Sequence, residues 1–132
     1  MRLILIRHGE TLWNEHHKFQ GISDIELSSK GMSQAKHLAE SLKEEALAKI
    51  YTSPLIRARQ TAEQIARYHC CPVVVVEELK ELNQGRLEGL TGEDLRRDFQ
   101  DFLKIGLNIQ SQPNFPKVNL WKIFSAVLGL PL

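Results

Sequence analysis

An arginine, a histidine and a glycine stand together where the first apolar segment of the chain ends. Arg7 carries a planar fork of N–H donors that suits phosphate or carboxylate oxygens. His8 can act near pH 7 as a nucleophile or as an acid or base, and Gly9 lets the backbone approach a bound group. Asn14 adds a neutral donor. These residue types predict anion capture beside a nucleophile, although Arg-His-Gly alone is short and common.

A second basic cluster lies further along the chain, after a predicted strand. Arg57 falls in the first turn of a predicted helix, where a bound anion also gains from the helix N-terminus. The plain alternative for such an arginine is a solvated surface side chain. We adopt that interpretation for Arg59 and keep Arg57 as a candidate anion ligand.

Two carboxylates provide candidates for a general acid. Glu81 and Glu88 both lie in the segment 79–89, which follows the last predicted strand. Either could donate a proton if it were partly buried beside a bound anion. Spacing alone leaves open the alternative that both are solvated loop charges.

The elements that must position these residues begin with three apolar segments. Residues 2–7 predict a central parallel strand that is buried on both faces, because the run is continuously apolar. Two shorter runs rich in β-branched or aromatic residues predict further strands at 50–52 and 73–76.

Capping residues and apolar periodicity predict three helices between and after these strands. The first starts near Lys30 and is capped by Ser28 or Ser29. The second has Ser53 as N-cap and Pro54 in its first turn, and runs to about Tyr68; the third is capped by Thr91 and runs to about Lys104. Residues 8–29 and 77–90 are predicted to be loops.

The order of elements predicts an α/β fold with a doubly wound, mostly parallel sheet flanked by helices. In such sheets, ligands bind beyond the carboxyl ends of the strands. The segments that follow the predicted strands are 8–21, 53–60 and 77–89, and they contain all the candidate residues. We therefore expect one site at this edge of the sheet.

Composition narrows the classes of partner. The chain has 132 residues, and its 17 Lys and Arg nearly balance its 16 Asp and Glu. This balance argues against a nucleic-acid partner or an anionic membrane surface. Apolar runs fall short of the roughly 20 residues that span a bilayer, so we expect a cytoplasmic protein. Cys70 and Cys71 are adjacent and predict no disulfide framework.

Four groups of residues, taken together, resemble the histidine phosphatase superfamily, whose fold is called phosphoglycerate mutase-like. The resemblance covers residues 1–104, which we interpret as the N-terminal part of one such domain. It rests on four motifs: Arg7-His8-Gly9-Glu10-Thr11 with Asn14; Gly21 to Asp24 with Leu27, Gly31 and Gln34-Ala35; Thr52-Ser53-Pro54 with Arg57-Ala58 and Thr61-Ala62; and Leu79-Lys80-Glu81 with Gly85 and Glu88-Gly89.

The resemblance implies a role for each candidate. His8 attacks phosphorus and becomes a phosphohistidine, and Glu81 protonates the leaving oxygen and then helps to activate water. Glu88 is structural, and a pairing with Arg86 lacks support. The phosphoryl oxygens are bound by Arg7, Arg57, Asn14 and the Gln20-Gly21 region. The resemblance implies no metal or cofactor, because arginines supply the positive charge that the transition state needs.

Within the family, the chain resembles the phosphatase branch, which includes α-ribazole phosphatases and broad-specificity phosphomonoesterases. Phosphoglycerate mutases usually carry a basic and aromatic stretch after the acid. Here the corresponding residues, 82–85, are short and neutral. We expect a small phosphorylated metabolite as the substrate.

A second histidine that the family places in a later strand-loop motif is missing. The five histidines are His8, His16, His17, His37 and His69, and none follows residue 69. We expect a C-terminally truncated domain with an exposed sheet edge, impaired turnover, and homodimer formation through that edge. The alternatives are a non-catalytic phosphate-binding remnant and a phosphoglycerate mutase.

Residues 105–132 form an atypical tail. Codons for 105–112, with one base restored, can read Asp-Trp-Leu-Glu-His-Pro-Val-Thr, and codons for 118–132 can shift to a peptide beginning Gly-Glu-Ser-Leu. Both shifted peptides resemble the usual continuation of the family. We interpret the tail as frameshifted; the alternative is a genuine C-terminal helix or strand.

Overall fold

The computed structural model describes residues 2–98. They form the following elements in chain order: α1 (Leu12–Glu15), α2 (Ser29–Leu42), β1 (Ile50–Thr52), α3 (Ile56–Ala66), β2 (Val73–Val75), 3₁₀ turns at Glu77–Leu79 and Gly85–Leu87, and α4 (Gly92–Asp98). The predicted end of the third helix at Lys104 and the tail 105–132 lie outside the described residues.

The strand-helix-strand unit at the centre of the described chain confirms a parallel sheet with flanking helices. β1 and β2 pair in parallel, with Ile50 opposite Val73 and Thr52 opposite Val75. Parallel strands need a crossover connection, and α3 provides it here. The two predicted strands at 50–52 and 73–76 are thus confirmed to within one residue.

Two helices form the main packed layer beside this sheet. α2 and α3 pack against each other, and Ala35 and Ala39 on α2 are almost fully buried. Ala62 and Ile65 provide the buried face of α3. Alanines at such a contact let two helix backbones approach closely, so the layer is compact and holds the start of α3 in a fixed place.

Two of the predicted helix caps are confirmed. Ser28 accepts a hydrogen bond from the Gly31 amide at 3.0 Å and begins α2 one residue before the predicted start. Thr91 accepts from the Asp94 amide at 3.1 Å, and Asp94 accepts from the Thr91 amide in return. Both caps involve residues three apart, so local sequence was sufficient to identify them.

The prediction of Ser53 as the N-cap of α3 was wrong. The helix begins at Ile56, with Leu55 at the N-cap position and no side-chain cap from that residue. Asp24, from a distant loop, accepts the Ile56 amide at 2.6 Å instead. The Ser53 hydroxyl reaches only the Leu55 amide, at 3.3 Å. A carboxylate supplied by tertiary structure therefore replaced the local cap.

The prediction that residues 2–7 form a central buried strand was also wrong. These residues carry no strand assignment, and Leu3 and Leu5 are 74% and 87% exposed. No strand within residues 2–98 pairs with them. An apolar run shows that a segment gains by burial, but a strand forms only where a neighbour supplies the ladder of hydrogen bonds.

The segment predicted as the loop 8–29 contains one short helix. α1 is started by a capping box in which Thr11 accepts the Asn14 amide at 3.1 Å and Asn14 accepts the Thr11 amide at 3.0 Å. Gly21 in the same segment has φ +51°, a conformation that suits glycine.

No helix within residues 2–98 has the length and apolar character needed to cross a membrane. Cys70 and Cys71 are free thiols.

Candidate active site

The imidazole of His8 has a defined tautomer in its neutral form. Its Nδ1 atom lies 2.7 Å from the carbonyl oxygen of Gly9. Because a carbonyl oxygen can only accept, Nδ1 must carry the hydrogen and donate it. The lone pair of the neutral ring is therefore on Nε2, which is the atom available for nucleophilic attack.

The charges around His8 favour this neutral form. Burial lowers the pKa of His8 below its ordinary value of 6.5, and the positive charges of Arg57 and Arg7 act in the same direction. The hydrogen bond to the Gly9 carbonyl and the carboxylate of Glu81 oppose the shift without reversing it. The structure therefore brings Arg7, Arg57 and Glu81 within electrostatic range of His8, from three segments of the chain.

The backbone after His8 is held between two helices. The Gly9 amide donates to the Thr61 hydroxyl at 3.1 Å, and that hydroxyl donates to the Arg57 carbonyl at 2.9 Å. A Cβ on Gly9 would lie 2.5 Å from the carbonyl oxygen of Gly31 on α2. Only glycine allows this approach, so the packing fixes the loop that carries His8.

Arg57 is buried at the start of α3, with 2% of its surface exposed. Its Nη1 donates to the Ser23 carbonyl at 2.8 Å and its Nη2 to the Gly21 carbonyl at 2.7 Å. Burial lowers the pKa of Arg57, and nearby carboxylates, that of Glu81 first, oppose this shift. A guanidinium has five N–H donors, so these two bonds leave donors for an anion.

Asn14 and Gln20 meet at the fully buried hydroxyl of Thr11. The Thr11 hydroxyl lies 2.8 Å from Gln20 Oε1 and 3.1 Å from Asn14 Oδ1, and it accepts the Asn14 amide. Because the amide oxygens of both side chains take part in this network, their N–H₂ groups are the parts that remain suited to an anion.

Glu81 and Glu88 have different surroundings, although both follow β2. Glu81 is exposed, and one of its oxygens accepts the Leu82 amide at 2.8 Å. Glu88 accepts the amides of Ile22, Ser23 and Gln84 at 2.9–3.1 Å, and also the Ser23 hydroxyl. Partial burial acts to raise the pKa of Glu88, but these hydrogen bonds outweigh it and hold the pKa below its ordinary value.

Sequence reasoning assigned Glu88 a structural role, which its hydrogen bonds confirm, but it did not identify the partners of Glu88, Thr11 or Thr61. Thr11 joins Asn14 to Gln20, Thr61 joins Gly9 to the Arg57 turn, and Glu88 joins two loops. A signal existed only for Thr11, whose spacing from Asn14 is that of a capping box. The described residues 2–98 contain no group of three or more His, Cys, Asp or Glu side chains arranged to hold a metal ion.

Comparison with known sequences gives one family match. Residues 3–124 match the histidine phosphatase superfamily, branch 1. A Bacillus subtilis protein named phosphatase PhoE, itself uncharacterized, is 41% identical over 97 residues, which cover 74% of this chain and 50% of that protein. The Escherichia coli protein named "Probable phosphoglycerate mutase GpmB" is 43% identical over 88 residues, covering 67% and 41%.

Comparison with solved structures also finds a phosphatase. An Escherichia coli protein provisionally described as an alpha-ribazole-5′-P phosphatase superposes with a TM-score of 0.72 at 29% identity, covering 78% of this chain and 52% of that protein. The matched part of the chain therefore shares the fold of that protein. The chain spans about half the length, or somewhat less, of the curated relatives that it matches.

Proposed function

The chain belongs to the histidine phosphatase superfamily, and from that premise we propose that it acts on small phosphomonoesters through a phosphohistidine at His8. The observation that supports this most directly is the surroundings of His8. Its Nε2 atom carries the lone pair, while two arginines and one carboxylate from separate segments lie within electrostatic range. This is the combination that phosphoryl transfer to an imidazole needs.

In the proposed first step, Nε2 of His8 attacks phosphorus and the bond from phosphorus to the ester oxygen breaks. Glu81, as the neutral acid, gives its proton to that oxygen, so the leaving group departs as an alcohol. The site binds the phosphoryl oxygens through Arg7, Arg57, Asn14 and the Gln20-Gly21 region.

In the proposed second step, water attacks the phosphohistidine. The Glu81 carboxylate takes a proton from the water, the bond between phosphorus and Nε2 breaks, and inorganic phosphate is released. The positive charge needed by both transition states comes from Arg7 and Arg57, so the scheme uses no metal or cofactor.

We further propose that turnover by this 132-residue chain is weak. The family resemblance implies a second histidine beside the phosphate, and the sequence has none after His69. One cation fewer around the phosphoryl group stabilises the transition state less. A chain that captures phosphate without turnover is the alternative interpretation of the same residues.

Hydrolysis of p-nitrophenyl phosphate in the presence of EDTA tests the proposal. We expect slow, chelator-resistant hydrolysis that is abolished in His8→Ala and kept in His37→Ala, a control on the exposed face of α2. Acid-labile, alkali-stable phosphate on His8 without product release would identify a phosphate-capturing remnant. Hydrolysis that survives His8→Ala would show that another residue is the nucleophile.

A mutase is the second candidate, because a relative at 43% identity carries that name. We propose the phosphatase function first, since residues 82–85 lack the basic and aromatic stretch of mutases. Incubation with 3-phosphoglycerate separates the two. Release of inorganic phosphate supports the phosphatase, whereas formation of the 2-isomer supports the mutase.

We propose a second copy of the chain as a partner at the exposed sheet. Tyr51 is 57% exposed on β1 and Val75 is 50% exposed on β2, and the apolar residues Leu3 and Leu5 are exposed as well. Apolar surface at an open strand edge favours association. We expect a dimer in light scattering, weakened by Tyr51→Glu and unaffected by Leu12→Glu on α1; a monomer at high concentration would contradict it.

We propose a cytoplasmic location for the protein, which cell fractionation tests. We also propose that residues 105–132 arose by a frameshift. Resequencing the locus tests the latter, because an intact frame with no Gly-Glu-Ser in a neighbouring frame would contradict it.

A further inference from the structure

The backbone segment Gly21–Ser23 is held from both of its sides. Its amides point to Glu88, which accepts from Ile22 at 3.1 Å and from Ser23 at 2.9 Å. Its carbonyls point to Arg57, which donates to Gly21 at 2.7 Å and to Ser23 at 2.8 Å. The segment therefore connects the carboxylate of Glu88 to the guanidinium of Arg57 through its backbone amides and carbonyls, and the Ser23 hydroxyl adds a further bond to Glu88.

The same carboxylate also holds the segment that carries the proposed acid. Glu88 Oε1 accepts the Gln84 amide at 3.0 Å, three residues after Glu81. There is no spare room at this junction: a Cβ on Gly21 would overlap Glu88 Oε1 and lie 3.0 Å from the Gln84 amide nitrogen. Glu88 thus fixes two loops against each other at close range.

We propose that Glu88 is a positioning residue for Arg57. By fixing the Gly21–Ser23 carbonyls, it sets the direction of the Arg57 donors that remain for a phosphoryl group, and it holds the Glu81 segment in register with them. The inference rests on the proposed function, because it gives Arg57 a phosphate ligand role. Glu88 itself touches neither the phosphate nor the reacting atoms.

The chemistry of the contact explains why a carboxylate is needed. All four groups that point to Glu88 are donors, three amides and one hydroxyl. A carboxylate can accept from all of them. A glutamine of the same shape would place an N–H₂ group against donors on one side, so the segment must shift and the carbonyls that aim Arg57 shift with it.

Binding of inorganic phosphate to the full chain, measured by calorimetry, provides the first arm of the test. We expect Glu88→Gln to weaken binding by roughly 10- to 100-fold, since a misplacement of about 1 Å in a site has effects of this size. Glu44→Gln, an exposed carboxylate beyond the end of α2, is the matched control and should bind like the native chain.

A double-mutant cycle separates positioning from general damage. If Glu88 acts through Arg57, then Glu88→Gln changes phosphate binding less than about twofold once Arg57→Lys is present. If Glu88→Gln weakens phosphate binding in the Arg57→Lys chain by as large a factor as in the native chain, the proposal is overturned. If Glu88→Gln fails to fold, Ser23→Ala provides a second variant, because it removes one donor to the same carboxylate. We expect Ser23→Ala to weaken phosphate binding by a smaller factor, and to have no effect on binding when Arg57→Lys is present.

The NMR signal of the Arg57 Nε–H group gives an arm that does not depend on phosphate binding. We expect Glu88→Gln to shift this signal and speed its hydrogen exchange, whereas Glu44→Gln leaves it unchanged. An unchanged Arg57 signal would overturn the positioning role. A native chain that binds no phosphate, yet shows the Arg57 shift, would instead contradict the proposed function alone.

Discussion

The hydroxyl of Thr61 links the backbone of the His8 loop to the turn that carries Arg57. It accepts the Gly9 amide at 3.1 Å and donates to the Arg57 carbonyl at 2.9 Å, and only 3% of the residue is exposed. One hydroxyl group therefore joins the loop that carries the nucleophile to the helix turn that carries the arginine, although the two are far apart in the chain.

Replacing Thr61 by valine tests this link. The shape is nearly kept, but the Gly9 amide loses its acceptor in a buried place, which costs about 1–3 kcal/mol. We expect urea unfolding to show a free energy of unfolding that is lower by this amount, and we expect weaker phosphate binding. Ser33→Ala, at an exposed position on α2, should change neither; an equal loss there would point to a general effect of removing hydroxyls.

Gly31 and Gly92 form a matched pair of helix glycines. A Cβ on Gly31 would overlap the backbone carbonyl oxygen of Glu10, whereas a Cβ on Gly92 meets no atom of residues 2–98 within 4 Å. Alanine favours helices over glycine by up to about 1 kcal/mol. We expect Gly31→Ala to destabilise by about 1–3 kcal/mol through overpacking, and Gly92→Ala to be neutral or stabilising. Thermal unfolding of both variants measures these changes in stability. The prediction fails if Gly31→Ala is as stable as the native chain.

Arg57 and Arg59 lie two residues apart on α3 but have different surroundings. Arg57 is buried and donates to two carbonyls, while the side chain of Arg59 is 54% exposed and lies 3.8 Å from Glu63. Lysine keeps the charge but loses the planar fork. We expect Arg57→Lys to weaken phosphate binding by at least about tenfold, and Arg59→Lys to leave it unchanged. Equal effects of the two substitutions would contradict the assignment.

The lowered pKa of His8 predicts a pH dependence of definite sign. Burial, with the charges of Arg57 and Arg7, keeps its pKa below 6.5, so the folded chain binds the proton more weakly than the unfolded chain does. The free energy of unfolding should therefore fall as the pH drops from 6.5 through the folded pKa, and level off below it. NMR titration of the signal that His8→Ala removes measures the pKa directly, and an inflection above 6.5 would contradict the prediction.

Phosphohistidine formation should follow the same titration. The neutral imidazole is the nucleophile, so the initial rate is expected to rise with pH through the pKa of His8, which lies below 6.5, and to level off at higher pH. Rapid-quench labelling at several pH values measures this rate.

Features that depend on neighbouring residues could be predicted from the sequence. The caps at Ser28 and Thr91 each need a partner only three residues away. The failures involve longer separations. Asp24 replaced Ser53 as the cap of α3 from 32 residues away, and no strand within residues 2–98 pairs with residues 2–7, although their apolar character suggested one. The candidates His8, Arg7, Arg57 and Glu81 were named from the sequence, and their catalytic roles stay predictions.

The sequence by itself determined the order of the motifs and the strand-helix-strand unit, because these follow from residue types and periodicity. It also indicated the family, through the resemblance of its four motifs to those of known members. Only the tertiary structure decided which polar groups meet. Gly9 and Thr61 are 52 residues apart, and Ser23 and Glu88 are 65 apart. No local pattern encodes such pairs, since packing of the helices and loops brings them together and burial then requires that each donor find an acceptor.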